Sequence, residues 1–180
     1  MKILGVDPGS RATGWAIVDF SGDPRLVAAG VLRPPTDTDF TVRLKTLHDA
    51  MGQVVARERP DAAVVERVFS GVNPQSLITL GEARGVLLLA LAEHGVPTSE
   101  ITPAEVKRAV TGSGIAEKQQ VRRMVTALVG GSGVGRLALD AADAAAAALA
   151  HGFVVARRGS LRAQPAPAAP SGTVRRRILG

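Results

Sequence analysis

Four carboxylates stand in stretches that are otherwise apolar. Asp7 and Glu66 each close a short hydrophobic run, residues 3–6 and 62–65, so each is expected at the C-terminal end of a strand. If those strands are sheet neighbours, the two acids emerge side by side at the edge beyond which open α/β sheets bind ligands. Asp140 and Asp143 are the only charged residues between Arg136 and Arg157. Their i, i+3 spacing puts them on one helix face with Cβ atoms roughly 5 to 6 Å apart. Adjacent carboxylates against a core are costly unless a cation or a proton neutralises them. Oxygen ligands, in a chain without cysteine, select a hard cation, Mg2+ or Mn2+. Two such ions about 3.5 to 4 Å apart would activate a water and stabilise the leaving oxygen of a phosphodiester. The bland alternative makes Asp7 a turn-forming acid, Glu66 a strand-end residue, and Asp140 and Asp143 acids favoured by a helix dipole. The histidines offer no substitute ligands. His151 lies about 16 Å along the helix from Asp140, while His48 and His94 read as solvated or capping.

The elements that must position these acids follow from periodicity. Residues 3–6, 14–20 and 25–32 read as three strands joined by short turns, an antiparallel meander. Leu44, Leu47, Met51, Val54 and Val55 recur at helical spacing, which predicts a helix over about 40–57 and then a strand at 62–65 ending at Glu66. Asn73 followed by Pro74 opens a helix reaching about residue 94. Residues 96–101 read as a fifth strand, and Thr102-Pro103-Ala104-Glu105 as a capping box. Helices are expected over 117–129 and from 137 to about 156. The order implies an α/β fold: a five-stranded mixed sheet with helices on both faces.

The segment between the fifth strand and the last helix is basic. Residues 101–136 hold Lys107, Arg108, Lys118, Arg122, Arg123 and Arg136 against Glu105 and Glu117, a net +4. Lys118 and Arg122 are like charges at i, i+4, and Lys118 stands at a helix N-terminus where cations are disfavoured. An anion for them to meet is the expected reason; the alternative is an ordinary solvated face. Phe69, three residues after Glu66, could stack on an unpaired base beside a metal site, or tuck as a staple under the following helix.

The whole chain has 180 residues, 46% of them hydrophobic and 21% charged, with aromatics at 3% and no tyrosine. That composition suits a single globular domain with a core of Ala, Val and Leu, and excludes collagen, coiled coils and disulfide-stapled miniproteins. Without cysteine, nothing argues for an oxidising compartment, and the cytoplasm is the default expectation. The apolar run after Lys2 is broken at Asp7, too short for a signal peptide. The longest uncharged apolar stretch, 144–156, falls short of the roughly 18 residues of a membrane span, so no membrane partner is expected. The net charge of +6 resides in six arginines of residues 157–180, while residues 1–156 are neutral. The chain therefore divides into a domain over 1–156 and a basic, Pro- and Ala-rich tail over 157–180 whose composition cannot bury enough to fold.

Taken together, Gly5-Val6-Asp7-Pro8-Gly9-Ser10 through Gly14, Glu66-Arg67-Val68-Phe69, Gly81 with Ala83-Arg84-Gly85, Val106-Lys107 with Val110-Thr111-Gly112, Glu117-Lys118, and Asp140-Ala141-Ala142-Asp143-Ala144 resemble the RuvC family of Holliday junction resolvases. The resemblance runs from residue 2 to about 153. It implies a ribonuclease H-like fold and a homodimer that cuts two opposing strands of a four-way DNA junction symmetrically, in recombination and repair. It further implies that Asp7, Glu66, Asp140 and Asp143 bind the catalytic metals, that Lys107 and Lys118 serve the DNA phosphates or the transition state, and that Phe69 stacks at the junction. Arg108, Arg122 and Arg123 become candidate DNA contacts. Residues 73–94 resemble the family's dimer surface, and a branch-migration complex of the RuvA and RuvB type is an implied partner. Two stretches depart from the pattern: the glycine-rich 130–136, where the family usually has a Pro-containing loop, and the tail. Two other readings remain: a non-catalytic junction-binding protein, and a fragment of an actin- or Hsp70-like ATPase, whose second lobe 180 residues cannot supply.

Overall fold

Apolar alternation builds the sheet first. Strands β1 (Lys2–Asp7), β2 (Thr13–Asp19) and β3 (Arg25–Leu32) form an antiparallel meander. Parallel neighbours need a crossover, and two helices supply it: α1 (Phe40–Glu58) carries the chain to β4 (Ala62–Glu66), and α2 (Pro74–Glu93) carries it to β5 (Thr98–Ile101). The strand order is β3-β2-β1-β4-β5, with β1, β4 and β5 parallel. Three further helices follow: α3 (Pro103–Thr111), α4 (Lys118–Leu128) and α5 (Leu139–Arg162). This computed structural model describes residues 1–67, 73–130 and 137–162, with side chains through residue 156.

The two-residue period sorts the sheet's side chains between two cores. Leu4, Val6, Ile17 and Val65 pack with Leu47, Met51 and Val55 of α1 and Leu87 and Leu91 of α2. Ile3, Ala16, Val18, Val64 and Ile101 face the other way, onto Val106 and Val110 of α3, Val121 and Val125 of α4, and the alanines of α5. Helices thus cover both faces, as the sequence order implies.

Local chemistry sets the ends. Asn73 Oδ1 accepts from the Ser76 amide at 2.8 Å, and Thr102 and Glu105 form the reciprocal capping box of α3. Two boundaries differ from expectation. The fifth strand begins at Thr98 rather than 96, because the Val96 amide turns back to Leu91 O at 3.0 Å and Pro97 has no amide to donate. Helix α5 starts at Leu139 and continues to Arg162, six residues into the stretch assigned to the tail.

By length and composition alone, α2 and residues 139–156 of α5 could each cross a membrane. Ala141, Ala142 and residues 144–150 of α5 are instead buried against the sheet. Helix α2 buries Ala83, Leu87, Ala90 and Leu91 but leaves Leu77, Ile78 and Leu89 exposed.

Candidate active site

Strand alternation decides where the four acids point. Ile3 and Val64 face α5, so Asp7 and Glu66, an even number of residues further along β1 and β4, face it too. Val6 and Val65 are register partners, which makes Asp7 and Glu66 lateral neighbours at the C-terminal ends of two parallel strands. Asp140 and Asp143, in the first turn of α5 and just after it, come down over them. Two glycines permit that descent. A Cβ on Gly5 would sit 1.9 Å from Ala144 O, and one on Gly14 would sit 2.0 Å from Asp140 O. Only bare backbone on β1 and β2 lets the helix lie this close.

The electrostatics follow from crowding. Burial pushes the Asp7 carboxyl up to about 7, helped by the charges of Glu66, Asp143 and Asp140 and opposed by Lys118. Burial likewise raises Glu66 to about 7, with Asp143 adding and Lys118 opposing. Lys118 Nζ lies 3.6 Å from Asp143 Oδ2, and Arg33 Nη2 lies 3.9 Å from Asp140 Oδ2. These two cations flank the acids from α4 and from the end of β3. Lys118 has thus met an anion, and it is Asp143. Among the described residues, no three His, Asp or Glu side chains are gathered tightly enough to enclose an ion as they stand. The donor set still fits hard divalent cations: oxygen ligands only, partly buried, and short of positive charge.

Such an arrangement can hold cations at the edge of a sheet and present them to a phosphodiester. The family model described as Crossover junction endodeoxyribonuclease RuvC matches residues 3–151. The chain belongs to the RuvC family. A RuvC from Neisseria meningitidis serogroup C is 46% identical over 152 residues, covering 84% of each chain. One from Alkalilimnicola ehrlichii is 48% identical over 155 residues, covering 83% of this chain and 90% of that one. Thermus thermophilus RuvC in complex with Holliday junction substrate superposes with a TM-score of 0.81 at 33% identity, covering 89% of this chain and 97% of that one. The yeast mitochondrial Holliday junction resolvase, at 12% identity and a TM-score of 0.65, shares the fold. The fold is ribonuclease H-like, as the sequence resemblance implied.

Within this RuvC-family site, the structure brings together Asp7, Glu66, Asp140, Asp143 and Lys118. Lys107 and Arg108 lie on α3, and Arg122 and Arg123 on α4. Among the described residues the ion pairs to the acids come from Lys118 and Arg33, and none of these four forms one. Phe69 and Arg136 lie outside the described residues. Two of the three histidines are engaged away from the site: His48 bridges Asp49 and Glu93, and His94 Nδ1 lies 2.8 Å from Ala90 O.

Sequence reasoning missed Arg33, and with it Arg43, whose guanidinium donates to Ser10 O at 2.6 Å and so steadies the loop that follows Asp7. Arg33 stands just past the end of β3 and Arg43 in the first turn of α1, single arginines without a spacing signal. It also missed the need for bare backbone at Gly5 and Gly14. Glycine inside an apolar strand run is itself a cue for close backbone approach.

Proposed function

We propose that this RuvC-family protein is a structure-selective endonuclease that resolves four-way Holliday junctions by metal-dependent phosphodiester hydrolysis. The observation that carries this reading is the convergence of two strand-end acids, both raised to about 7, with two acids on the helix above them. Relatives 46% and 48% identical over 152 and 155 residues bear the name crossover junction endodeoxyribonuclease.

Asp7, Glu66, Asp140 and Asp143 would hold two hard ions, Mg2+ or Mn2+. Bound there, such ions supply Lewis acidity and lower the pKa of a coordinated water. The chain's own part is to present deprotonated oxygens at a fixed spacing and to partly exclude water around Asp7 and Glu66. Lys118, beside Asp143, offsets charge at the site and stands ready to meet a phosphate oxygen. Lys107, Arg108, Arg122 and Arg123 extend a cationic surface along α3 and α4 for the DNA backbone, and Phe69 is assigned to stacking at the junction.

The partner set follows the same reading. The exposed Leu77, Ile78 and Leu89 of α2 support a homodimer through this helix, which would present two sites to opposing strands. A branch-migration complex of the RuvA and RuvB type is assigned as the delivering machinery, and the cytoplasm as the compartment.

A labelled four-way junction incubated with the protein and Mg2+ or Mn2+ should give paired, symmetric nicks. Binding without nicks in either ion would overturn the nuclease reading and leave a junction-binding protein.

A further inference from the structure

On the face of the sheet opposite the four acids, the residue that follows Glu66 is held at two points. The Arg67 amide donates to Ile101 O at 2.8 Å, and Arg67 Nε donates to Glu100 Oε2 at 2.7 Å. The second oxygen of Glu100, Oε1, accepts from Arg84 Nη2 on α2. One carboxylate on β5 therefore ties the exit of β4 to the middle of α2.

Register explains why the brace lies where it does. Val65 pairs with Glu100 and Glu66 with Ile101, so Glu100 points to the α1 and α2 face while Glu66 points to the α5 face. The guanidiniums of Arg84 and Arg67 hold the Glu100 carboxyl below the usual range. It stays ionised across neutral pH. Arg84 is only 19% exposed, and its Nε is buried with no acceptor among the described residues. Exposed ion pairs contribute little. Losing Glu100, however, would strand a mostly buried guanidinium and release Arg67 from its side-chain anchor.

We infer that Glu100 is a positioning residue for Glu66. Acting through Arg67, it fixes the exit of β4 so that the Glu66 carboxylate meets Asp7 and the acids of α5. Through Arg84 it makes that position depend on the seating of α2, the helix with the exposed apolar face. None of the three brace residues supplies a metal ligand. The inference rests on the reading of Glu66 as a catalytic acid.

The test uses the full chain and four variants: Glu100→Gln, Glu100→Asp, Arg67→Gln and, as control, Glu66→Gln. Three quantities are measured: the single-turnover cleavage rate of a labelled junction at saturating protein over a Mg2+ titration, the junction Kd without divalent ion, and the melting temperature. Residues that orient a metal ligand typically alter metal affinity or activity about 10- to 100-fold. Glu100→Gln and Arg67→Gln should therefore slow saturated cleavage by about that factor and move the Mg2+ midpoint upward. Junction Kd should stay within about twofold, and Glu100→Asp should recover part of the rate. Arg67, 53% exposed, keeps the test sound should Glu100→Gln fold poorly. Unchanged saturated rate and Mg2+ midpoint in both Glu100→Gln and Arg67→Gln would overturn the inference, as would rate losses matched by equal losses of junction affinity. Full cleavage by Glu66→Gln would instead overturn the reading of Glu66 itself.

Discussion

Lys118 is the residue whose position most changes how the site is understood. At the N-terminus of α4, a lysine followed by Arg122 is locally unfavourable. Its Nζ reaches Asp143 at 3.6 Å, and its charge lowers the pKa of both Asp7 and Glu66. Lys118→Met should therefore raise both pKa values, move the acid limb of the cleavage pH profile to higher pH, and slow cleavage by about tenfold or more. A slower variant with an unmoved acid limb would confine Lys118 to DNA contact. Asp7 carries a second residue-scale consequence. Its pKa in the folded chain, about 7, lies above the ordinary 3.8. The folded state thus holds a proton that the unfolded chain gives up near pH 4, and that stabilisation is lost as pH rises from about 4 to about 7. Metal-free Asp7→Asn, which has no charge to form, should melt at least about 4 °C above the wild type at pH 8 and converge with it near pH 4. Saturating Mg2+ should raise the wild type's melting temperature far more than the variant's. The same variant should lose at least about 100-fold in cleavage while binding junctions normally. Loss of cleavage and binding together would point to a structural role for Asp7.

At the scale of elements, the site is made by the contact of α5 with β1 and β2, and that contact tolerates no side chain at Gly5 or Gly14. Gly14→Ala would place a methyl 2.0 Å from Asp140 O. Backbone must shift, at a cost of about 1–3 kcal/mol, and the shift carries Asp140 and Asp143 away from Asp7. The expected result is a lower melting temperature with an additional loss of saturated cleavage. Gly22→Ala, where a Cβ meets nothing within 4 Å among the described residues, is the control, and equal behaviour of the two variants would remove the close-approach argument. These elements also divide what the sequence discloses from what it does not. The meander, the crossovers, the N-cap of α2 and the capping box of α3 come from local signals: period-two runs, Asn73-Pro74, and Thr102 with Glu105. The pairing of Asp7 with Glu66 needs only that β1 and β4 be neighbours, so the acids were legible as strand-end residues. The clearance at Gly5 and Gly14 was not, because it is imposed by a helix far away in sequence. The Glu100 brace was hidden for the same reason: Thr98–Ile101 looks like an ordinary edge strand until Arg67 and Arg84 are folded onto it. Pro97 and the turn at Gly95 delayed β5 by two residues, a backbone effect that apolar content alone does not register.

For the molecule as a whole, the distribution of charge separates holding DNA from cutting it. Residues 1–156 are neutral, yet 101–136 carry +4 while 1–100 and 137–156 carry −2 each. The excess of +6 belongs to arginines at 157, 158, 162 and 175–177. Because α5 runs unbroken to Arg162, a cut at 156 would truncate a helix whose Phe153 packs edge-on against Phe20, ring centroids 6.2 Å apart. A cut after 162 leaves that helix whole and removes only Arg175, Arg176 and Arg177 from the cationic total. If those three arginines neutralise DNA phosphates, the truncated chain should bind junctions more weakly at low salt. Its plot of log affinity against log salt should be flatter by up to about 0.9 for each phosphate no longer neutralised. Single-turnover cleavage at saturating protein should match the full chain, since Asp7, Glu66, Asp140, Asp143 and Lys118 are all retained. An unchanged salt slope would show that the terminal arginines do not touch DNA. A truncated chain that binds but cannot cut would give the last eighteen residues a part in the chemistry itself.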